Sequence, residues 1–442
     1  MILALARGLA WAHATLLSSE PKARATLAAS PPRIRLVFSE ELEPTLGRIA
    51  LEGADGRARP LAAKGDPHDI HALIAPIDST LAPGAYRVIW RVVSADGHPV
   101  EGSYVFHVAP GAGSAAAHVP APPPPEVSTL PGGASAPVAG PTVGGAPLIP
   151  SLLRGAGLGV LMALGGLLFF VVGDRSGAAP DRARRAAVWL AVAVPLLLAV
   201  HALAWIAHTS PTQGLDASWL RATLGTTTGR IELARVVLAL LACWALLLAR
   251  RAGLALALAA AALVVSGGVG HSAALHPAWT VPAKAVHLLA GALWAGGIVW
   301  LLALDRDETA TFAARAERVS SVALGAVIAV ALSGVVQTAL FLESPLDLVR
   351  SVYGAVVLAK VAGLLVLAGF GAYYRQRVIA RLGESAAVRA AFGRLLGREL
   401  VVMAAVILLG GLLAYLAPPM RMPMTTRAPA HAAPLPPHSV GT

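Results

Sequence analysis

The chain is poor in the groups that anchor most soluble or redox proteins. It has a single cysteine, Cys243, among 442 residues. One thiol cannot close an intramolecular disulfide, and it makes thiolate metal chemistry a poor explanation for any site in the chain. Soft-metal ligation then has to come from histidine and methionine. Methionine is scarce as well, with none between Met1 and Met162. Charged residues make up only 13% of the chain. No P-loop or other nucleotide-binding motif is present, so ATP-driven chemistry by this chain alone is not expected. No catalytic constellation stands out either, and an enzyme is not expected. What is abundant is apolar surface: 56% of residues are hydrophobic and the mean hydropathy is +0.68. No soluble domain of this length needs that much, so the composition indicates a polytopic membrane protein with the lipid bilayer as partner. The net charge of +11 is spread over short loops. That is the pattern of topology signals and not of a nucleic-acid surface.

One stretch organises the apolar part. Gly270-His271 and His276-Pro277 flank a short connection, and His287 lies inside the following apolar run. An ionisable residue within a span is costly and marks a functional site unless it is a packing imidazole bonded to a neighbouring helix.

Residues 1–12 read as the remnant of a secretory signal, with Arg7 its one charge and Ala10-Trp11-Ala12 a small-x-small cleavage site. Cleavage there leaves His13 as the N-terminus. A free amine and an imidazole on one residue form a chelating pair for Cu(II). Residues 13–109 read as an all-β domain, a sandwich or barrel. Its β-rich runs are Ile34–Phe38, Arg48–Leu51, Tyr86–Val92 and Ser103–Val108, separated by Pro, Gly and Asp clusters. Between the last two runs lies Ser94-Ala-Asp96-Gly97-His98-Pro99. Asp96 and His98 are two apart and share a face if the segment is extended. With His13 they make a set of nitrogen and oxygen ligands suited to Cu(II). His68 and His71 read as solvated loop residues. Residues 110–147 form a Pro/Gly/Ala-rich linker with a stiff section at Pro122–Pro125.

The His-Ala start, Ser19-Glu-Pro21, Leu36-Val-Phe-Ser-Glu40 and Ser94-Ala-Asp-Gly-His-Pro-Val100 resemble the periplasmic copper-binding protein CopC over nearly all of residues 13–109. The resemblance implies a Greek-key, cupredoxin-like fold and a Cu(II) site at His13, Asp96 and His98. Some members of that family also carry a methionine-rich Cu(I) site. The lack of methionine between Met1 and Met162 leaves no material for one in this domain.

Eight apolar runs follow, at about 148–173, 186–208, 230–249, 252–270, 281–304, 318–342, 353–373 and 399–417, each near the ~20 residues a spanning helix needs. Together they give an all-α domain of eight transmembrane helices over residues 148–417. The third and fourth runs are joined by Arg250-Arg251 as a tight hairpin. Basic loops follow the first, third, fifth and seventh runs. The positive-inside rule puts those loops in the cytoplasm, and it places the β domain and the tail 418–442 on the periplasmic side of a bacterial inner membrane. Under that topology His208, His271, His276 and His287 all lie on the outer side. His287 is about 9 Å deep, and His201 about 10 Å deeper than His208 on nearly the same face. These four histidines are the candidate membrane metal site. His201, Gln337, Lys360 and the tail residues Met420, Met422 and Met424 are further candidates, the last three as thioether ligands for Cu(I). Gly291, Gly296 and Gly297 mark close helix packing.

Gly270-His271-Ser-Ala and His287-Leu-Leu-Ala-Gly-Ala-Leu-Trp294-Ala-Gly-Gly resemble CopD, the inner-membrane partner of CopC. A fusion of the two implies capture of copper in the periplasm and transfer to or across the inner membrane, in uptake, homeostasis or resistance, with periplasmic copper chaperones as further partners. The rival readings are a membrane b-type haem protein, since facing histidines also ligate haem, and a copper donor to a membrane cuproenzyme without transport.

If the terminal amine is a ligand, one added residue before His13 is expected to lower Cu(II) affinity strongly. Titration of both N-terminal forms measures this, and equal affinity would remove the amine from the ligand set.

Overall fold

A computed structural model describes residues 14–94, 97–110, 142–143, 146–174, 180–210, 216–270, 277–306, 309–342, 344–416 and 418–419. The expectations for the signal remnant, for most of the linker and for most of the tail therefore lie outside the described residues.

The N-terminal part is a two-sheet β structure, as its alternating runs require. Strands β1 (Leu16–Glu20), β3 (Arg33–Phe38), β7 (Asp69–Pro76) and β6 (Lys64–Asp66) form one sheet in the order β1-β3-β7-β6. The other has the order β2-β9-β8-β4-β5, with β2 at Thr26–Leu27, β4 at Arg48–Glu52, β5 at Ala58–Leu61, β8 at Gly84–Val93 and β9 at Pro99–Val108. All pairings are antiparallel except β2 with β9. The period-2 pattern of β3 points Ile34, Leu36 and Phe38 into the core while Arg33 stays outside. From the facing sheet come Val88, Trp90, Val92 and Phe106, and the Phe38 and Trp90 rings meet edge to face at 5.0 Å. Arg35 bridges Asp66 and Asp69 at 2.8 Å each, tying β3 to the β6–β7 turn. Its guanidinium holds the Asp66 carboxyl below the usual carboxylate range. The four β-rich runs named from sequence are β3, β4, β8 and β9. The other strands are short or lack alternation, so they carry little signal.

The C-terminal part is helical, with one helix for each of the eight apolar runs: α1 (Leu148–Gly173), α2 (Asp181–Thr209), α4 (Thr227–Leu247), α5 (Ala252–Val265), α6 (Pro277–Ala303), α7 (Thr309–Phe341), α8 (Val352–Tyr373) and α9 (Ala386–Leu413). A short α3 (Ala217–Gly225) precedes α4, capped by the Asp216 carboxylate on the Ser218 and Trp219 amides. Six of these helices, α1, α2, α6, α7, α8 and α9, are long and apolar enough to cross a membrane. The other two depart from the expectation of eight for different reasons. Helix α5 has only 14 residues, while α4 carries Arg230, Glu232 and Arg235 among its 21. Several basic residues assigned to loops are helical instead. Arg182, Arg184 and Arg185 lie in α2, Arg315 and Arg318 in α7, and Arg389, Arg394 and Arg398 in α9. Polar residues at a helix end reach beyond the apolar run without leaving the helix, and Ser385 caps α9 on the Val388 amide.

The expected small-residue packing is present. Gly296 of α6 lies against the backbone of Gly166 on α1, Gly291 faces Met162, and Gly297 faces Phe170 and Val319. A Cβ at Gly166 would overlap the Ala292 carbonyl, which cannot rotate away. Gly166→Ala is expected to force α1 and α6 apart and cost about 1–3 kcal/mol, the usual range for overpacking. The readout is thermal unfolding in detergent, and an unchanged melting temperature would show that this crossing is not tight.

Candidate functional site

The turn between β8 and β9 lies against the helix block. Gly97 adopts a φ of +91°, and its amide donates to the Ser94 carbonyl at 2.8 Å. Asp96 lies outside the described residues, so the expectation that it shares a face with His98 remains a proposal. The turn chemistry brings His98 to the surface of α2 and the end of α9. Trp205 of α2 donates its indole N–H to the Gly97 carbonyl at 3.0 Å. His98, only 6% exposed, meets the Tyr415 ring edge to face at 5.5 Å. Around this centre the two parts are joined by further contacts. Arg91 donates to the Thr209 and Ser210 carbonyls at 3.2 and 3.3 Å. Arg48 lies over the Trp219 ring at 5.4 Å. Glu43 accepts from the Thr227 amide in the first turn of α4 at 3.2 Å, where a carboxylate is favoured by the helix dipole. Burial nonetheless pushes the Glu43 carboxyl up, and the Thr227 bond offsets that only in part.

Beneath His98 lies a cluster of buried ionisable residues. Glu232 of α4 is 2% exposed, and Arg235, one turn on, holds both its oxygens at 2.6 and 2.7 Å through one guanidinium nitrogen. Arg154 of α1 approaches Glu232 at 3.8 Å and stacks over Tyr415 at 6.0 Å. His201 of α2 has Nδ1 3.4 Å from Glu232 and Nε2 3.1 Å from the Tyr415 hydroxyl. A cavity of about 10 Å³, lined by His98, Arg154, Trp205, Glu232 and Tyr415 among others, separates the turn from the cluster. It has room for roughly one water or ion. Two arginines against one carboxylate leave the cluster without net negative charge, so it does not attract a cation electrostatically. What it does is fix His201 and Tyr415 rigidly below His98. Nε2 of His201 is taken by the Tyr415 hydroxyl, while Nδ1 lies near Glu232 without a hydrogen bond of good geometry, so an axial haem role through Nε2 would break the Tyr415 contact.

The sequence candidates divide into three groups. His98, His208 and His201 lie at this junction, with His208 near His98 and Arg91. His287 belongs to a second group within the helices: its Nδ1 is 3.0 Å from the Ser333 hydroxyl on α7, and Gln337 donates to the Ser333 carbonyl at 3.2 Å. Lys360 of α8 lies near His287 and reaches toward Gly410 on α9. The third group, His13, Asp96, His271, His276, Met420, Met422 and Met424, falls outside the described residues. Among the described residues no three His, Cys, Asp or Glu side chains gather as a metal site. Arg154, Glu232, Arg235, Trp205 and Tyr415 were not singled out from sequence. The signal was there for three of them, as charged residues within the first and third apolar runs. The roles of Trp205 and Tyr415 depend on tertiary contacts that no local pattern carries.

Comparison with known proteins follows the same division. A CopC domain model matches residues 16–109, and a model described as copper resistance protein D matches residues 313–413. The second match spans most of α7 and all of α8 and α9. The histidine motifs that carried the CopD resemblance lie before it. Protein YobA of Escherichia coli (strain K12) is 40% identical over 99 residues, covering 22% of this chain and 80% of YobA. Copper resistance protein C of Xanthomonas campestris pv. juglandis is 42% identical over 110 residues, 24% of this chain and 86% of that protein. The crystal structure of CopC from Methylosinus trichosporium OB3b aligns at 36% identity with 22% of this chain and 95% of its own, with a TM-score of 0.21.

Removing one member of the buried cluster strands another. Arg235→Ala leaves Glu232 with only the more distant Arg154 and His201, and is expected to destabilise the helix block by about 3–5 kcal/mol. The double change Glu232→Gln with Arg235→Gln removes both charges and should recover much of that loss. Thermal unfolding of the two variants measures the difference, and equal losses would show that charge pairing is not what Arg235 contributes.

Proposed function

Because the chain belongs to the CopC family and carries a CopD domain in the same polypeptide, we propose that it binds Cu(II) outside the membrane at His13, Asp96 and His98 and passes copper to the helix block through the junction beneath His98. The proposed units are the β domain at 13–109, the linker at 110–147, the eight-helix domain at 148–417 and the tail at 418–442. In this reading the β domain and tail face the periplasm, and the block lies in the inner membrane with its basic helix ends toward the cytoplasm.

One observation carries the proposal: the turn holding His98 is clamped by Trp205 on the helix block, with His201 and Tyr415 directly below. A copper ion held by His98 would therefore sit at the entrance to the block without any domain movement. Transfer between ligand sets is fast only if the second set is presented within reach of the first, and the Trp205 bond supplies that positioning. His208 beside His98, and His271 and His276 in the connection before α6, are the proposed receiving groups. His287 with Lys360 lies further along. The chain handles copper as cargo. Delivery to another protein without transport is the alternative outcome, and uptake into sealed vesicles separates the two.

His98→Ala is expected to abolish high-affinity Cu(II) binding. Trp205→Ala is expected to leave that binding intact while lowering transfer into vesicles several-fold. Binding requires neutral imidazole, so protons compete with the metal. The terminal amine must lose its proton as well, so affinity should begin to fall as pH drops below about 8, the ordinary α-amino value, and fall further through about 6.5, the ordinary histidine value. Copper titration and vesicle uptake at matched protein level give both readouts. Full transfer by Trp205→Ala would show that the junction plays no part in passing copper.

A further inference from the structure

A second buried ionisable group lies far from the copper junction. Glu399 of α9 is 2% exposed. It is 14 residues before the end of α9 at Leu413, about 21 Å along the helix from the end that lies nearest the β domain. One carboxylate oxygen accepts from the Trp294 indole N–H of α6 at 3.0 Å. The Tyr374 hydroxyl, just past the end of α8, is buried without a hydrogen bond of good geometry and faces the same carboxylate. These three groups end a cavity of about 300 Å³ between α6, α7, α8 and α9. Its walls are otherwise mostly apolar, and Leu324, Ala372, Arg375 and Gln376 on its lining are exposed.

The charged groups around Glu399 are accounted for elsewhere. Helix α6 has no charged residue between Lys284 and the end of the helix. From α7 the cavity receives only Ser320 as a polar group, and Arg315 and Arg318 turn to Asp174 and the Gly173 carbonyl. After α8, Arg375 is exposed at the lining. On α9 itself Arg394 and Arg398 are exposed, and Arg306 packs on Gly393, about two turns away. Helix α1 has its charges only at its ends, Arg154 and Asp174. Among the described residues no lysine, arginine or histidine pairs with Glu399. A carboxylate in an apolar span with neutral donors alone is costly to keep ionised. A protonated carboxyl avoids that cost, keeps the acceptor that Trp294 uses and gains a donor.

We propose that Glu399, with Trp294 and Tyr374, is a proton-binding site in the half of the helix block remote from the β domain, reached from the bilayer through this cavity. The proposal does not depend on the copper reading. A hydrophobic carbodiimide tests it, because it enters from lipid and reacts with the protonated acid. The carboxyl adds across one C=N bond, its proton goes to nitrogen and its oxygen to carbon, and the adduct rearranges to a stable N-acylurea with no atom lost.

The full chain in proteoliposomes is treated with dicyclohexylcarbodiimide, and adducts are mapped by peptide mass spectrometry. Labelling of Glu399 is expected, falling as the buffer is raised from about pH 6 to about pH 10, across the range in which buried carboxyls titrate. Glu399→Gln should lose this adduct alone. Tyr374→Phe keeps the carboxyl and the ring but removes a donor to the charged form, so the midpoint should move to higher pH. Three results would overturn the proposal: no adduct on Glu399 at any pH, a midpoint that Tyr374→Phe leaves unmoved, or protection by equimolar copper at constant pH, which would make Glu399 a metal ligand.

Discussion

The Glu232 carboxylate is the constraint on which the junction depends. It sits within a helix that has too many charges to satisfy a simple spanning criterion, and it is buried almost completely. Such a group is tolerated only when its charge is answered in place. Arg235 answers it from the same helix, Arg154 from α1, and His201 from α2. The cluster therefore joins three helices at the end of the bundle nearest the β domain. Tyr415 extends it upward to His98. A shift of any one helix by a turn would leave a buried charge without its partner, so the polar cluster fixes the relative height of the helices. The Gly166–Gly296 contact, by contrast, fixes only how closely α1 and α6 approach.

The same cluster limits what the site can do. A copper site built on a bare carboxylate would attract the ion and hold it. Here two guanidiniums outnumber the one carboxylate, so the floor of the junction offers imidazole and phenol without an attractive field for a cation. Under the proposed function that suits a place of passage better than one of storage, since release requires that binding not be too deep. In the proposed function affinity resides in the β domain, and the block supplies position.

Much of the fold was legible because it rests on periodicity. The alternation of Ile34, Leu36 and Phe38 marks β3, and each apolar run became a helix. The ends were not legible, because a run of hydropathy stops where lipid stops while the helix continues through Arg182 or Arg389. Part of the candidate site was legible through residue chemistry. His98 stood out as a metal ligand in a D-G-H turn, and His201 and His208 stood out as histidines in a span. The partners that give them a geometry did not. Trp205 is one of nine tryptophans and reads as an interfacial aromatic. Its bond to the Gly97 carbonyl spans 108 positions of sequence.

Histidine drew the sequence reading because copper chemistry calls for it, and that emphasis passed over the carboxylates. Two buried glutamates now show opposite solutions to one problem. Glu232 keeps its charge by gathering two guanidiniums, at the end of the block where the β domain docks. Glu399 has a neutral indole and phenol and no described cation, and it adjoins a cavity. The first arrangement is rigid, because moving any partner exposes a charge. The second is labile, because a proton can arrive or leave with only two neutral donors to adjust. Glu399 lies about 21 Å along α9 from the end of that helix at Leu413, and Tyr415, just past that end, is the residue that joins the Glu232 cluster.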